Sequence, residues 1–400
     1  MSATILGLKH NWKQFTLLVL VNGLVGAMLG MERSIFPQFA SETFQIDSNF
    51  ALLSFITAFG FSKAGTNYIT GKFANKVGRK KLLVLGWVIA LPVPLMLIFA
   101  PSWTFVILAN ILLGISQGLT WGSTVLMKID LVGEKERGLA MGMNEFAGYL
   151  MLGVSAYFSA YIAENYGVSP YPFYLGIAVA ITGLILSLCL VNDTHSFVKK
   201  ESKTVTKKRI QDVFVQTSFK NPTLSSISQA GLVNNLNDGM VWGLLPVFLI
   251  SHQLELEKVG IVAAVYPLVW GVGQLFTGKM ADHFSKKKMI VFGMLLQGLT
   301  LLVLPEFVGY YFQIGLMVLL GLGTALVYPT FMASIAAFTH PMQRAESIGT
   351  FRLWRDLGYA IGAIFSGILA DQWGIEVSIY FIGILTILSS LIVQLRMKHY

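Results

Sequence analysis

Twelve separate stretches of this 400-residue chain are apolar for about twenty residues or more. Each is long enough to cross a hydrocarbon core of about 30 Å as a single helix. They fall at 15–39, 49–71, 82–100, 103–127, 138–163, 171–192, 226–250, 259–278, 289–308, 310–338, 345–370 and 376–395. A lipid core offers backbone groups no hydrogen bonds, so runs of this kind must satisfy themselves as helices. The expected fold class is an all-α membrane protein with 12 transmembrane helices. Composition agrees: 54% of the residues are hydrophobic and 12% charged, against about 25% charged in soluble domains. That excludes a cytosolic enzyme. The first run follows Lys9 and Lys13, is too long for a signal-peptide core and has no small-residue cleavage pattern, so it reads as an uncleaved first helix.

Between the sixth and seventh runs, Asp193 to Pro222 holds Lys199, Lys200, Lys203, Lys207, Lys208 and Arg209. The expected organisation is therefore an N-terminal six-helix bundle (1–192), a solvated cytoplasmic linker (193–222) and a C-terminal six-helix bundle (223–400). With the N-terminus inside, 23 of the 29 basic residues fall in inner loops, tails and linker, and only Lys258 in an outer loop. Cytoplasmic loops retain Lys and Arg, so both termini are expected in the cytoplasm and the protein in a plasma (inner) membrane. The net charge of +9 is explained by this topology rather than by nucleic acid, because the basic residues lie in short blocks between apolar runs.

The chain is an internal duplication. A shift of 207 residues superposes 58–193 on 265–400 without a gap. Thr70-Gly71-Lys72-Phe73-Ala74 then meets Thr277-Gly278-Lys279-Met280-Ala281, and Arg137, Gly142, Gly167 and Gly176 meet Arg344, Gly349, Gly374 and Gly383. Two pseudo-symmetric six-helix bundles around a central site are the architecture of alternating-access transporters.

Between the second and third spans the chain reads Gly71-Lys-Phe-Ala-Asn75-Lys-Val-Gly78-Arg79-Lys80-Lys81, and its repeat reads Gly278-Lys-Met-Ala-Asp282-His-Phe-Ser285-Lys286-Lys287-Lys288. The glycines are expected to allow a tight turn, the basic residues to stay at the anionic leaflet and the acid to cap a helix N-terminus. This pair of loops resembles the Gly-x-x-x-Asp-x-x-Gly-Arg-Lys/Arg signature of the major facilitator superfamily, and the resemblance covers nearly the whole chain. It implies an inner-gate motif of Gly71, Asn75, Gly78, Arg79, Asp130, Gly278 and Asp282, in which Arg79 pairs with Asp130 on the fourth span as a latch of the outward-open state. Asn75 departs from the family acid, which weakens the expected helix-capping part of that latch. The family arginine before Gln117-Gly118 is Gly114 here, and no Gly-Pro pair occurs between Gly142 and Gly153. Both absences count against a standard multidrug antiporter.

Charges inside spans are costly, about 2.5–3.5 kcal/mol each on insertion scales, and so mark functional positions. They are Glu32, Arg33, Lys63, Glu145, Asp238, Arg352, Arg355 and Asp356. Lys63, Glu145 and Arg352 each lie eight residues from an inner anchor, at a common depth of about 12 Å. On the eleventh span Arg352, Arg355, Asp356 and Tyr359 share one face, with an Arg352–Asp356 pair at i, i+4 as the structural alternative. Asn234 and Asp238 share a face of the seventh span, Tyr149, Trp121, Trp270 and Trp354 offer rings to a ligand, and Lys128 is expected to snorkel to the inner surface.

The proton-coupling candidates are accordingly Glu145, Asp238 and Glu32. The substrate-binding candidates are Lys63, Arg352, Arg33, Arg355, Asp356, Asn234, Tyr149, Trp270 and Tyr359. The expected function is proton-coupled secondary transport of a small polar or anionic organic solute by alternating access; a drug or lipid efflux pump of the same fold is the alternative. The partners are the solute, protons and the lipid bilayer, and a monomer is expected. No catalytic or metal constellation is found: the single Cys189 and the six scattered histidines form none, so neither an enzyme nor a cofactor is expected.

Overall fold

A computed structural model describes residues 5–46 and 48–398; Tyr400, at the expected cytoplasmic C-terminus, lies outside the described residues. The described chain is helical throughout. The elements are α1 (Leu8–Arg33), α2 (Phe36–Phe44), α3 (Ser48–Val77), α4 (Arg79–Ala90), α5 (Pro92–Ile98), α6 (Trp103–Val132), α7 (Arg137–Tyr166), α8 (Tyr171–Cys189), α9 (His195–Thr204), α10 (Val213–Val215), α11 (Pro222–Ser251), α12 (Leu256–His283), α13 (Lys286–Val303), α14 (Tyr310–Phe338), α15 (Pro341–Trp373) and α16 (Ile375–Arg396).

Most helices outrun the apolar stretches that announce them. The fifth run, 138–163, becomes Arg137–Tyr166, and the eleventh, 345–370, becomes Pro341–Trp373, because polar residues at the ends extend a helix as readily as apolar ones. Two spans are interrupted where proline removes a backbone donor. The first divides into α1 and α2 just before Pro37, and the third into α4 and α5 at Pro92. Turns between spans recur in register: Gly167 and Gly374, 207 residues apart, end α7 and α15 at φ +96° and +95°, a region that glycine enters without cost.

Among the described residues, nine helical segments are by themselves long and apolar enough to cross a membrane. Three further helices of spanning length, α3, α11 and α15, with 30, 30 and 33 residues, fall short on apolarity. These carry Lys63, Asp238 and the Arg352–Asp356 cluster. Large apolar side chains such as Phe276, Leu268, Phe292 and Phe158 are exposed on the helices, as expected of a surface facing lipid.

By contact the chain forms two compact units. The first comprises residues up to 136, 143–207 and 340–349; the second comprises 137–142, 208–339 and residues from 350 on. In the first, α3 packs on α6, α4 on α6 and α8, and α1 on α8; in the second, α12 packs on α14, α13 on α14 and α16, and α11 on α16. These are the same contacts under the 207-residue shift.

The segment after the sixth span departs from the expected solvated linker. Residues 195–204 form α9, with Thr194, Val198 and Glu201 buried. Val198 and Glu201 lie three residues apart on one helix face, so this face packs while the neighbouring lysines stay outside.

Candidate functional site

The motif end of the first unit is built around two buried guanidinium groups. Arg79 begins α4 just after Gly78, whose φ of +96° turns the chain out of α3. Its Nε donates to Asp130 Oδ2 at 3.0 Å, and Nη1 donates to the Ala74 carbonyl at 3.1 Å. Thr194 Oγ1 donates to the same Asp130 oxygen at 2.9 Å. Arg344, in the first turn of α15, places Nη2 3.7 Å from Asp130 Oδ1 and binds Glu201 of α9 with two nitrogens, at 2.6 and 3.2 Å. Removing one partner of a buried pair of this kind costs about 3–5 kcal/mol. His195 Nδ1 lies 3.1 Å from Arg79 Nη1. A guanidinium cannot accept, so Nδ1 accepts and the ring proton sits on Nε2. Burial first, then the charges of Arg79 and Lys199, hold the His195 pKa below its ordinary value.

The second motif copy solves the same problem differently. Asp282 accepts from the backbone nitrogens of Gly138 and Leu139 at 2.6 and 2.9 Å, capping the first turn of α7. The matching Asn75 does the reverse: its Nδ2 donates to the Met342 carbonyl at 2.6 Å. Gly71 and Gly278 serve close approach, not the expected turn. A Cβ at Gly71 would lie 2.4 Å from the Ala345 carbonyl oxygen, and one at Gly278 would lie 2.6 Å from that of Gly138. Both sit inside helices; only Gly78 makes a turn.

Mid-span in the first unit, Lys63 Nζ lies 5.1 Å from the centre of the Trp121 ring and 5.3 Å from that of Phe59. Trp121 Nε1 donates to Glu145 Oε1 at 3.2 Å, Asn144 Nδ2 to the same oxygen at 2.7 Å, and Tyr149 packs edge-on against Trp121. Lysine over indole is worth about 0.5–2 kcal/mol, more as water is removed.

In the second unit the shift carries Phe59, Lys63, Trp121, Glu145 and Tyr149 onto Tyr266, Trp270, Tyr328, Arg352 and Asp356. Tyr266 stacks on Trp270 at 5.9 Å between ring centres, and Trp270 meets Tyr328 at 5.0 Å. The Tyr266 hydroxyl donates to Asp238 and lies 3.1 Å from Thr324 Oγ1. Asp356 is bound by its neighbour on the chain: Arg355 Nη2 lies 2.6 Å from Asp356 Oδ1, and its guanidinium stands 5.1 Å over the Tyr328 ring. Adjacent residues reach each other here because a long guanidinium bends back along the helix. Arg352 itself is buried, and Tyr359 is half-buried.

The remaining candidates are more scattered. Glu32 is buried at the end of α1 with neither carboxylate oxygen hydrogen-bonded, and Arg33 is half-buried beside it. Asn234 Nδ2 reaches only as far as Asn235 Oδ1, at 3.4 Å, while Asn237 is joined to Gln297 and Thr386 as packing glue. Trp354 is turned to Ser218, not to either cluster. Lys128 does not snorkel. It is fully buried and donates to the Leu18 carbonyl at 3.0 Å, because α6 continues to Val132 and α1 covers it. Sequence reasoning misplaced Lys128 and missed Glu201 and Tyr266. Neither of the missed pair carried a signal of its own: Tyr266 reads as one more aromatic in an apolar run, and Glu201 was hidden among linker lysines.

The comparisons with known proteins agree with this architecture. The Major Facilitator Superfamily profile matches residues 16–229 and 227–398. The chain is 24% identical over 330 residues to the proton-coupled antiporter flippase LtaA of Staphylococcus epidermidis, covering 79% of each chain. Its counterpart in Staphylococcus aureus (strain USA300) is 23% identical over 374 residues, covering 90% of this chain and 89% of that one. The human organic anion transporter MFSD10 (TETRAN) shares the fold, with a TM-score of 0.78 at 15% identity over 96% of this chain and 99% of that one. Matched along both of its repeats and built as two related helical units, the chain belongs to the Major Facilitator Superfamily of membrane transporters.

Proposed function

We propose that this transporter couples proton movement to transport of a small anionic organic solute across a plasma (inner) membrane, with the motif end and both termini cytoplasmic. The halves 1–192 and 223–400 are the moving bodies, joined by 193–222, and the monomer in its bilayer is the working unit. The observation that carries this reading is the pair of repeat-related clusters, Lys63–Trp121–Glu145 and Arg355–Tyr328–Asp356, buried in spans where charge is costly. Lys63 and Arg352 supply positive charge for the solute; Glu145, with Asp238 and Glu32 behind it, carries the proton. Protonation of Glu145 removes a negative charge beside Lys63 and so links the two ligands, with coupling of about 1–3 kcal/mol.

Proteoliposomes test this directly, by solute-driven pH change and by solute binding. Glu145→Gln should still bind solute, lose the pH dependence of transport and fail to accumulate against a gradient. Arg352→Ala should lose binding. Normal accumulation by Glu145→Gln with intact pH dependence, or wild-type binding by Arg352→Ala, would make the charges structural.

A second reading has its own support. The staphylococcal relatives, covered over 79–90% of this chain, are named proton-coupled antiporter flippases, which favours a lipid headgroup as the anionic cargo and outward movement. Headgroup-labelled lipid flipped in the same liposomes, without uptake of any soluble anion, would select it.

A further inference from the structure

We infer that the linker helix α9 is a working part of the gate at the motif end, with Glu201 supplying the carboxylate that the first motif copy lacks at Asn75. In the second copy, Asp282 grips the first turn of α7 through two backbone nitrogens. The related position in the first copy is an amide, neutral where Asp282 is charged: Asn75 Nδ2 donates to the Met342 carbonyl, and its Oδ1, the atom that could cap the first turn of α15, is buried without a hydrogen bond. The same turn is gripped instead through its side chain. Arg344 is held by both oxygens of Glu201 in a fork that fixes direction as well as distance.

Two further bonds anchor the start of α9 to the motif, and a third caps it. Asp193 accepts from the Lys80 backbone nitrogen at 2.9 Å and from that of His195 at 2.8 Å, and Thr194 donates to Asp130. The chain Arg79–Asp130–Arg344–Glu201 therefore alternates in sign, and its last member belongs to the linker. Arg137, related to Arg344 by the repeat, donates from Nη1 to the Ala336 carbonyl at 3.4 Å. Any opening that draws residues 340–349 out of the first unit must break the Glu201 fork, so the linker sets how readily that end opens.

This inference rests on the reading that the start of α15 moves during transport, and one labelling experiment separates the two. Ser347, fully buried on α15, is changed to cysteine in a Cys189→Ser background. The full chain in nanodiscs is then treated with a water-soluble maleimide. Glu201→Gln should raise the labelling rate about tenfold or more, as expected when a buried ion pair loses one partner. Adding Asn75→Asp to Glu201→Gln should return the rate towards that of the parent, because the cap is restored from the motif side. Glu201→Asp, a milder change that keeps the charge, should fall between the two. A rate unmoved by Glu201→Gln, while Asp282→Asn raises it, would overturn the role of the linker alone. A site that stays closed in every variant would overturn the gating reading and this inference together.

Discussion

The two motif copies began as one sequence and now hold their partner helices by different physics. The second copy uses a carboxylate against a helix N-terminus, Asp282 on Gly138 and Leu139. The first has no acid at that position and relies on paired ions, Arg79 with Asp130 and Arg344 with Glu201. The second half in turn has Ala337 where the first has Asp130, so it cannot form the ionic version. A cap is short-ranged and indifferent to the side chains of the helix it holds. A chain of ions depends on every member, and here it recruits a segment outside the repeat. The difference teaches that duplication preserved the backbone approach at Gly71 and Gly278 while leaving the side-chain lock free to diverge.

The largest effect should come from breaking the ionic version at its centre. Asp130→Asn leaves two buried guanidinium groups facing a neutral amide and should cost about 3–5 kcal/mol. Thermal unfolding in detergent would read this as a large loss, and distance measurements across the motif end as a loss of the closed population. A change no larger than that of a surface substitution would mean that Glu201 alone holds both arginines.

A smaller effect should follow from making the two copies alike. Asp282→Asn removes the charge and one of the two accepting oxygens and should weaken the hold on α7 by about 0.3–1 kcal/mol. Asn75→Asp should strengthen the hold on α15 by about 0.3–1 kcal/mol and bias the protein to the state with that end closed. Double electron–electron resonance between the first turns of α7 and α15 and their partner helices would resolve the opposite signs. Shifts of the same sign would show that the locks are not equivalent.

The smallest effect concerns acidity, and only the first copy should feel it. His195 is held neutral in the closed lock, with its folded pKa lowered by burial and by Arg79 and Lys199, against the pull of Asp193 and Asp130. A lowered histidine pKa favours the closed state fully above the ordinary value of about 6.5, and that contribution is lost as pH falls from there towards the lowered value. Protonation also fills Nδ1, the atom that accepts from Arg79. Accessibility at Ser347→Cys should therefore rise modestly on acidification, and His195→Gln should flatten that response. An unchanged pH response in His195→Gln would assign it to another group.

Much of this fold was legible because hydrocarbon permits few alternatives. Apolar runs marked the spans, and the 207-residue register exposed the repeat without any structure. Ends were less legible: α9 looks like a charged tether because burial of Val198 and Glu201 depends on a surface that other segments create. The site was legible in its residue types but not in its pairings. Lys63, Glu145 and Arg352 could be assigned to one depth by counting, yet depth is one coordinate. That Lys63 stands over Trp121, or that Asp356 pairs with Arg355, depends on helix rotation and neighbouring rings. Lys128 was misread because position near a helix end cannot reveal that α1 closes over it.

The three spans short of apolarity bear on how the protein is made. A helix that leaves the translocon alone is judged on its own residues, and α3, α11 and α15 would each present uncompensated polar groups to lipid. Their partners arrive later or earlier on the ribosome: α3 packs on α6, and α11 on α16, well over a hundred residues further along the chain. Asp238 meets Tyr266 as soon as α12 follows, whereas Asn237 gains Thr386 only with α16. Biogenesis of this chain is a holding problem as much as an insertion problem, and its vulnerable interval lies between the emergence of α11 and that of α16.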